Sequence, residues 1–312
     1  MVEHRTRNKT IRLSSEEIEQ LELRLLNLNH NVGIEEITNR IINQNILAVT
    51  QFLPEKSVDL LFLDPPYNLT KTFNSNVFHS RSYQKYQEIF ELWLKSLVPL
   101  LKDTASVYIC SEWSTSNAIF EVANRYLKIQ NRIVWQREKG RGAKKNWKNN
   151  SEDIWFCTVS NKYYFNVNAV KLRKKVIAPY RTAAGKPKDW QENHAGDRYR
   201  MTCPSNIWTD LTVPFWSMSE NTPHPTQKPE KMLAKIILAS SKAGDIILDP
   251  FLGSGTTAVV AKKLDRKFIG IELDPYYCCL ALKRLNNAET DKRIQGYADG
   301  QFWERNTFAS QK

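Results

Sequence analysis

The sequence predicts an α/β protein in which a mostly parallel sheet is interrupted by an inserted basic region. Short apolar segments of strand length alternate with helix-forming segments before residue 138 and again after residue 223. A glycine-rich loop joins one of the later strands to a helix, as is typical of sheets that bind nucleotide-like ligands. Between these parts, residues 139–222 are basic, rich in scattered aromatic residues and without clear periodicity.

Composition supports this class and indicates a partner. The chain has 312 residues, enough for a full α/β core with an additional part. Its 41% hydrophobic and 25% charged residues are typical of folded proteins and exclude a disordered or low-complexity chain. The net charge of +12 favours a polyanionic partner, nucleic acid before an anionic membrane. A basic surface without such a partner is the alternative.

Targeting and metal signals are not found in the sequence. No run of apolar residues is long enough to predict a membrane span, and the first residues hold no apolar signal segment. The five cysteines show neither CxxC pairs nor metal-ligand spacing. We therefore expect reduced thiols in a cytoplasmic protein, with no metal site.

Residues 1–40 are predicted to form an N-terminal arm followed by a helix. Ser14 and Glu17 have the spacing of a capping box at a helix start. Apolar residues follow at helical spacing, namely Ile18, Leu21, Leu25 and Leu28. We expect this helix to pack on the main body, with a contact to a second copy of the chain as the alternative.

Residues 41–138 are predicted to hold the first half of the sheet. The apolar segment 58–63 has the length of a buried strand and ends at two prolines, which cannot donate to a strand ladder. Residues 68–82 are expected to form a polar loop. The elements predicted after it are a helix at 83–101, a strand at 106–110, a helix at 114–127 and a strand at 133–135.

The basic region, residues 139–222, is predicted to contact the polyanion and to add an edge strand at 154–158. Its first ten residues carry five basic side chains and no acidic one. These are the predicted phosphate contacts, Lys139, Arg141, Lys144, Lys145 and Lys148. For each of them, a merely solvated side chain is the alternative.

Regular alternation returns in residues 223–290. The predicted elements are a helix at 231–241, a strand at 245–248, a helix at 257–264, a strand at 267–273 and a helix at 276–288. Residues 291–312 are predicted to be a polar tail whose candidate docking residues are Tyr297, Phe302, Trp303 and Phe308.

The loop between the strand at 245–248 and the next helix has the pattern of a nucleoside-binding site. Gly253, Ser254, Gly255 and Thr256 fit G-x-G-x-x-G/A, in which glycines let the backbone approach a ligand closely. Glu272 follows at the end of the next strand, where a carboxylate can accept both ribose hydroxyls. A tight turn with a solvated Glu272 is the alternative.

Asp249 opens this loop and bears on the choice of ligand. A pyrophosphate at a helix N-terminus disfavours a nearby negative charge. Asp249 therefore favours S-adenosylmethionine, which carries an ammonium and a sulfonium, over a dinucleotide.

The tetrapeptide Asp64-Pro65-Pro66-Tyr67 lies at a strand's carboxyl end, where open α/β sheets bind ligands. The Asp64 carboxylate and the Pro65 carbonyl can both accept hydrogen bonds from one amino group. Pro66 stiffens the turn, and Tyr67 offers a face on which a flat ring can stack. A proline-rich turn with a packed tyrosine is the alternative.

With these motifs, the sequence resembles the DNA amino-methyltransferases. The tetrapeptide matches that family's amine-binding motif, and residues 251–255, FLGSG, match its cofactor motif. Residues 224–229, HPTQKP, recur in one group of the family beside the methionine end of the cofactor. The order of the motifs resembles the β permutation group, and the resemblance spans roughly residues 40–288.

The resemblance implies a circularly permuted, Rossmann-like methyltransferase fold that binds S-adenosylmethionine, with residues 139–222 as the target-recognition region. It also implies cofactor contacts from Lys228 and Phe251. Many relatives carry Gly-Asp where this chain has Gln44-Asn45, and we retain Asn45 as a contact to the cofactor adenine.

The implied function is site-specific methylation of a flipped-out base in double-stranded DNA. Since DPPY is more frequent in the adenine-N6 members, adenine is favoured and N4 of cytosine is the alternative. More remote alternatives are an RNA or protein amide methyltransferase, a nicotinamide dehydrogenase and a non-catalytic DNA-binding module. The sequence leaves open a cognate restriction endonuclease, an orphan role and a homodimer.

Overall fold

The structure, a computed structural model, describes residues 8–74, 76–137, 144–176, 180–192, 196 and 198–304. The α-helices in these residues are, in chain order, α1 (Ser15–Glu22), α2 (Ile34–Ile37), α3 (Ile46–Val49), α4 (Tyr83–Leu97), α5 (Ser116–Tyr126), α6 (Glu230–Ser240), α7 (Thr256–Lys263) and α8 (Pro275–Thr290).

The strands fall into a main sheet, a second sheet and a hairpin. They are β1 (Arg40–Ile42), β2 (Val58–Leu63), β3 (Lys71–Phe73), β4 (Asn76–Phe78), β5 (Leu101–Ser111), β6 (Lys128–Gln136), β7 (Ser151–Thr158), β8 (Leu172–Lys175), β9 (Gln191–Glu192), β10 (Arg198–Thr202), β11 (Ile207–Trp208), β12 (Ile246–Asp249), β13 (Lys267–Ile271), β14 (Tyr297–Ala298) and β15 (Gln301–Trp303).

The main sheet has the order β1-β13-β12-β2-β5-β7-β6-β11. Its strands are parallel except β7, which runs antiparallel to both of its neighbours. The chain leaves β2 towards β5 and leaves β12 towards β13, so these two adjacent strands form a switch point of the kind at which α/β sheets bind ligands. The predicted α/β class with a mostly parallel sheet is confirmed.

Two layers of helices cover the main sheet. β2 reads VDLLFL and is buried along nearly its whole length, as expected for a strand covered on both faces. Leu60 and Phe62 face the core shared with α6, α7 and α8, whereas Leu61 and Leu63 face the core shared with α4 and α5. The alternating side chains of one strand thereby join both layers.

The N-terminal helix is shorter than the apolar spacing predicts. The capping box of Ser14 and Glu17 is present, but α1 ends at Glu22. Leu25 and Leu28 reach the core from the extended segment after the helix, where Leu26 bridges to Ile42. α1 packs against α8, as expected for a helix that covers the main body.

The segment 68–82, expected to be a polar loop, contains the hairpin of β3 and β4. Asn74 adopts a φ of 49° at its turn, a conformation that asparagine tolerates better than most residues. The sequence prediction was wrong here because the strands are only three residues long.

The basic region is more closely joined to the sheet than an insert with one edge strand. The strand expected at the edge is β7, and it lies in the interior between β5 and β6; the edge is formed by β11. The second sheet has the order β14-β15-β8-β10-β9, so the C-terminal tail pairs with the basic region. Phe302 of the tail is fully buried, as its expected docking role requires. Phe308 falls outside the described residues.

Two further properties concern membranes and metals. Among the helices of the described residues, none combines the length and apolar character needed to cross a bilayer. The same part of the chain contains no group of His, Cys, Asp or Glu side chains arranged to hold a metal ion.

Candidate active site

A cavity of about 450 Å³ opens at the carboxyl ends of β2 and β12. Its volume lies within the range of small-molecule sites. Among the predicted site residues, those that line it are Asn45, Asp64, Pro65, Pro66, Tyr67, Lys228, Phe251, Gly253 and Glu272. Asp249, Ser254 and Thr256 lie behind it and line a smaller adjoining space.

Asp64 directly follows β2 and precedes the two prolines. Its two carboxylate oxygens are held by different partners. Lys228 Nζ donates to Oδ2 at 2.6 Å, and the Tyr67 hydroxyl lies 3.2 Å from Oδ1. The Tyr86 hydroxyl donates to the Pro66 carbonyl at 3.2 Å and braces the turn from α4. The tetrapeptide is thus a fixed, buried structure that presents Asp64 and Tyr67 to the cavity.

Glu152, at the start of β7, completes this cluster and was not predicted. Its Oε2 lies 2.9 Å from the Tyr67 hydroxyl and 3.7 Å from Lys228 Nζ. Arg137, just after β6, forms an ion pair with Oε1 of Glu152. The only sequence signal for Glu152 is a pair of acidic residues, Glu152 and Asp153, before the apolar part of the strand.

The charges in this cluster balance. Asp64 and Glu152 contribute two carboxylates, while Lys228 and Arg137 contribute two cations. Burial raises the pKa of the Asp64 carboxyl, and the Lys228 ammonium offsets part of that effect. Burial alone would lower the pKa of Lys228, but the two carboxylates outweigh burial and raise it. This part of the cavity wall therefore carries two anions and two cations and no net charge, which suits an uncharged base.

Lys228 was predicted as a cofactor contact through the HPTQKP motif. The structure places its ammonium against Asp64, with the Tyr67 ring centroid 5.3 Å away. Since Lys228 also lines the small space beside Asp249, it lies between the tetrapeptide and the glycine loop. Its direct partners nevertheless are Asp64 and Glu152.

Glu272 braces the glycine loop from the end of β13. Its Oε2 accepts the Gly253 amide at 2.8 Å, and its Oε1 accepts the Asp274 amide at 2.9 Å. Burial raises the pKa of the Glu272 carboxyl above its ordinary value. Each carboxylate oxygen can accept a second hydrogen bond, so Glu272 can hold the loop and two ligand hydroxyls together.

The two loop glycines have different roles. Gly253 has a φ of 53°, and a Cβ there would lie 2.9 Å from Nε2 of His224. Gly255 has a φ of 82°, and a Cβ there would overlap the Cβ of Ala281 on α8. Gly253 thus keeps the cavity wall thin, whereas Gly255 allows α7 and α8 to pack closely.

Asp249, Ser254 and Thr256 support the loop from behind. Asp249 accepts the Phe251 amide at 3.1 Å and the Thr257 hydroxyl at 2.5 Å. Burial raises its pKa to about 7. The Arg284 guanidinium donates to the Ser254 carbonyl and to the Thr256 hydroxyl, both at 2.9 Å. Through these contacts, Asp249, Ser254 and Thr256 act mainly as supports of the loop.

Aromatic and amide groups form the remaining cavity wall. The Phe251 ring meets Trp93 edge-on, with centroids 5.0 Å apart. Asn45 caps α3 by accepting the Leu47 amide at 2.9 Å, and its amide nitrogen can donate to a ligand. A flat ring, a ribose and a polar tail all have partners of matching chemistry here, so the residues fit S-adenosylmethionine.

The β3–β4 hairpin forms one side of the cavity through Lys71, Val77 and Phe78. The Asn74 amide at its turn donates to both carboxylate oxygens of Asp274, at 3.0 and 3.2 Å. Asp274 also caps α8 by accepting the Tyr276 amide. The hairpin is thereby fastened to the end of the helix that follows Glu272.

The predicted phosphate contacts lie on the connection between β6 and β7. Lys139 and Arg141 fall outside the described residues. Lys144, Lys145 and Lys148 are exposed. Arg137 and Glu152, at the two ends of this connection, line the cavity.

Comparison with known proteins identifies the family. A family model described as DNA methylase, N6_N4_Mtase, matches residues 58–283. The DNA adenine methyltransferase YhdJ of Escherichia coli is 36% identical over 80% of this chain and 83% of its own length. The type II methyltransferase M.HpaI of Haemophilus parainfluenzae is 32% identical over 80% of this chain and 74% of its own length.

Solved structures show the same fold. The M1.HpyAVI–SAM complex has a TM-score of 0.54 at 23% identity and covers 79% of this chain and 98% of its own. The cytosine-N4-specific PvuII DNA methyltransferase has a TM-score of 0.58 at 18% identity, covering 78% and 85%. At these identities the likeness concerns the fold, and it confirms the predicted methyltransferase architecture.

The family match selects the DNA methylase hypothesis over the nicotinamide dehydrogenase that the glycine loop alone permits. It extends from the strand before the tetrapeptide to α8 and so includes both predicted motifs. The chain therefore belongs to the N6/N4 DNA methylase family, whose members are S-adenosylmethionine-dependent DNA amino-methyltransferases.

Proposed function

We propose that this enzyme methylates N6 of adenine in double-stranded DNA, with Asp64, Pro65, Pro66 and Tyr67 as its amine-binding turn. The observation that carries the proposal is that Asp64 and the glycine loop border one cavity. Adenine is favoured because the relative with 36% identity is named a DNA adenine methyltransferase. N4 of cytosine is the alternative product of the same site.

The amine-binding turn acts by orienting a weak nucleophile. The amine nitrogen of a nucleobase is poorly nucleophilic because its lone pair is delocalised into the ring. Asp64 and the Pro65 carbonyl accept its two hydrogens and draw the nitrogen towards a tetrahedral geometry, which localises the lone pair. Bound S-adenosylmethionine supplies the electrophilic methyl group. Holding both reactants in line supplies up to roughly 7–11 kcal/mol of barrier reduction in ideal cases.

The surrounding residues keep Asp64 in its accepting form. The Lys228 ammonium at 2.6 Å favours the ionised carboxylate against the effect of burial. Tyr67 is fixed by Asp64 and Glu152, so its ring is positioned for stacking against the flipped base. The proton released after transfer passes to Asp64 or to water, and no strongly basic residue is required.

The cofactor residues follow from the other side of the cavity. Glu272 accepts the ribose hydroxyls, Phe251 contacts the adenosine or the methionine part, and Asn45 donates to the adenine. Gly253 allows close approach, while Asp249, Ser254, Gly255 and Thr256 hold the loop in shape.

We assign Lys144, Lys145 and Lys148 to DNA phosphates, together with Lys139 and Arg141 outside the described residues. The support is the exposure of the three lysines and their attachment to the cavity rim. Cytoplasmic location is supported by the DNA substrate and by five cysteines that form no disulfide.

A cognate restriction endonuclease and a homodimer are further proposals. The first is supported by the relatives named type II methyltransferases. The second is supported by Leu23, which follows α1 and is 87% exposed. Light scattering of the purified chain tests the dimer, and Leu23→Asp is expected to dissociate it.

A competition between acceptors tests the proposed function. The enzyme is incubated with labelled S-adenosylmethionine and equal masses of genomic duplex DNA, total RNA and a protein extract. We expect the label in the duplex DNA only and its loss in Asp64→Ala. Label in RNA or protein instead of DNA would contradict the proposal.

A further inference from the structure

Trp147 presents a large apolar ring to solvent without a structural reason in the described residues. It is 93% exposed, more than any other large hydrophobic side chain there. Its backbone amide donates to the Asn146 side chain at 2.7 Å, a local turn that leaves the ring pointing away from the core. A ring this exposed contributes almost nothing to the folded core, so it is free to contact a partner.

The position of Trp147 relates it to the target cavity. The Arg137 amide donates to the Asn150 carbonyl at 2.8 Å, which closes the base of the connection between β6 and β7. Arg137 and Glu152, on either side of that closure, both line the cavity. Trp147 is three residue steps from Asn150, a span of at most about 11 Å. The ring therefore lies on a short connection whose two ends border the cavity.

The charges around Trp147 indicate the occupant. Residues 139–150 contain no acidic side chain, and Lys144, Lys145 and Lys148 are exposed beside the ring. A lone flat ring among cations matches a duplex, whose phosphates meet the lysines while its base pairs offer surfaces for stacking.

We propose that Trp147 enters the duplex and fills the space left by the flipped-out target base. The inference rests on the proposed function, since only an enzyme that extrudes a base creates such a space. Extrusion breaks the pairing and stacking of the target. A ring stacked on the neighbouring base pairs compensates for part of that loss and keeps the base in the cavity.

Methylation of two duplexes tests this role. Both contain the methylated sequence, located beforehand by sequencing DNA modified by the wild type. One is fully paired, and the other has an abasic position opposite the target, which removes the need to break a base pair. We expect Trp147→Ala to methylate the paired duplex roughly 10- to 100-fold more slowly than the wild type. On the second duplex we expect its rate to be within about threefold of the wild type.

Two variants make the comparison specific. Trp147→Phe keeps a flat ring and is expected to retain most of the activity on the paired duplex. Trp113→Ala removes another exposed tryptophan, 66% exposed in the turn between β5 and α5, and is expected to match the wild type.

The proposal is overturned if Trp147→Ala equals the wild type on the paired duplex, or if it loses the same factor on both duplexes. An equal loss in Trp113→Ala would also overturn it. If the preliminary sequencing finds no DNA modified by the wild type, the proposed function is contradicted instead, so this failure is separate from a failure of the role of Trp147.

Discussion

Asp64 shares its carboxylate oxygens between the Lys228 ammonium and the Tyr67 hydroxyl. Burial raises its pKa, whereas the ammonium at 2.6 Å favours the charged form. Glu152 and Arg137 extend the cluster to two anions and two cations. At the scale of single residues, Asp64 is therefore one member of a charge-balanced group of four side chains.

Replacement of Asp64 tests the acceptor directly. We expect Asp64→Ala to lower methyl transfer by roughly 100-fold or more, because neither the amine nor its nitrogen geometry is held. Affinity for S-adenosylmethionine, measured by calorimetry, should remain close to that of the wild type. Asp64→Asn keeps one carbonyl oxygen and should retain more activity than Asp64→Ala. Full turnover in Asp64→Ala would remove Asp64 from the amine site.

Replacement of Glu272 tests the proposed cofactor side of the cavity. We expect Glu272→Ala to weaken binding of S-adenosylmethionine by roughly 10- to 100-fold, since hydrogen bonds to a charged acceptor contribute about 1.5–3 kcal/mol. Part of the loss comes from the Gly253 amide, which Glu272 also binds. Cofactor-free binding to duplex DNA serves as the control and should not change. An unaltered cofactor affinity would contradict the placement of Glu272.

At the scale of elements, the glycine loop keeps its shape because α7 begins against α8. The other groups that support the loop are buried acidic side chains. Gly255 has a φ of 82° and no room for a Cβ beside Ala281. Glu220 accepts the Glu230 amide at 2.7 Å where α6 begins, and Arg284 on α8 binds Glu230 at 3.0 Å. Three helices are thereby fixed around the loop.

Gly255→Ala should destabilise the protein by about 2–4 kcal/mol, as measured by denaturant unfolding. The left-handed conformation accounts for about 1–2 kcal/mol and the overlap with Ala281 for the rest. Gly244→Ala is the matched control, because Gly244 has a φ of 84° but nothing within 4 Å of a Cβ. Gly244→Ala should lose only the part of the free energy of unfolding that comes from the left-handed conformation. Equal losses in both variants would contradict the close packing at Gly255.

Glu220 predicts a pH dependence of stability. Burial, followed by the charge of Glu230, raises its pKa to about 8. A raised carboxyl pKa means that the folded state binds the proton more tightly than the unfolded chain. Its contribution is therefore complete below about pH 4 and is lost as the pH rises through about 8. Glu220→Gln should make the free energy of unfolding depend less on pH over this interval. An unchanged slope would show that Glu220 is charged in the fold.

At the scale of the whole molecule, the β6–β7 connection carries the exposed Lys144, Lys145 and Lys148, while the opposite edge of the sheet carries paired charges. Lys56 pairs with Asp103 at 3.3 Å, and Lys292 pairs with Asp265 at 3.1 Å, both near the amino ends of strands. The proposed DNA contacts therefore predict that the lysines of the connection contribute more to DNA binding than the lysines of the opposite edge.

Salt dependence of DNA binding tests this asymmetry. Each phosphate contact contributes about −0.9 to the slope of log affinity against log salt. Replacing Lys144, Lys145 and Lys148 together by alanine should reduce the slope by up to about 3 and weaken binding at low salt. Replacing Lys56, Lys242 and Lys292 removes the same charge from the opposite edge and should change the slope much less. Equal effects of both triple variants would mean that net charge alone governs binding.

The sequence predicted the features that depend on neighbouring residues. It missed the features that depend on pairing between strands distant in the chain. Asp64 and Tyr67 were foreseen because the prolines mark the end of a buried strand. Glu152 and Arg137 were not, because they reach the cavity only through the antiparallel placement of β7 between β5 and β6. The tail was expected to dock through Phe302, but its pairing with β8 joins residues about 130 positions apart and has no local signal.

The identity of the methylated nucleoside tests the proposed methylation of adenine N6 most directly. Duplex DNA methylated by the enzyme with labelled S-adenosylmethionine is digested to nucleosides, which are resolved by mass. The account predicts labelled N6-methyladenine. Labelled N4-methylcytosine would contradict the choice of base while keeping the site, and DNA without label beside intact cofactor binding would contradict DNA methylation itself.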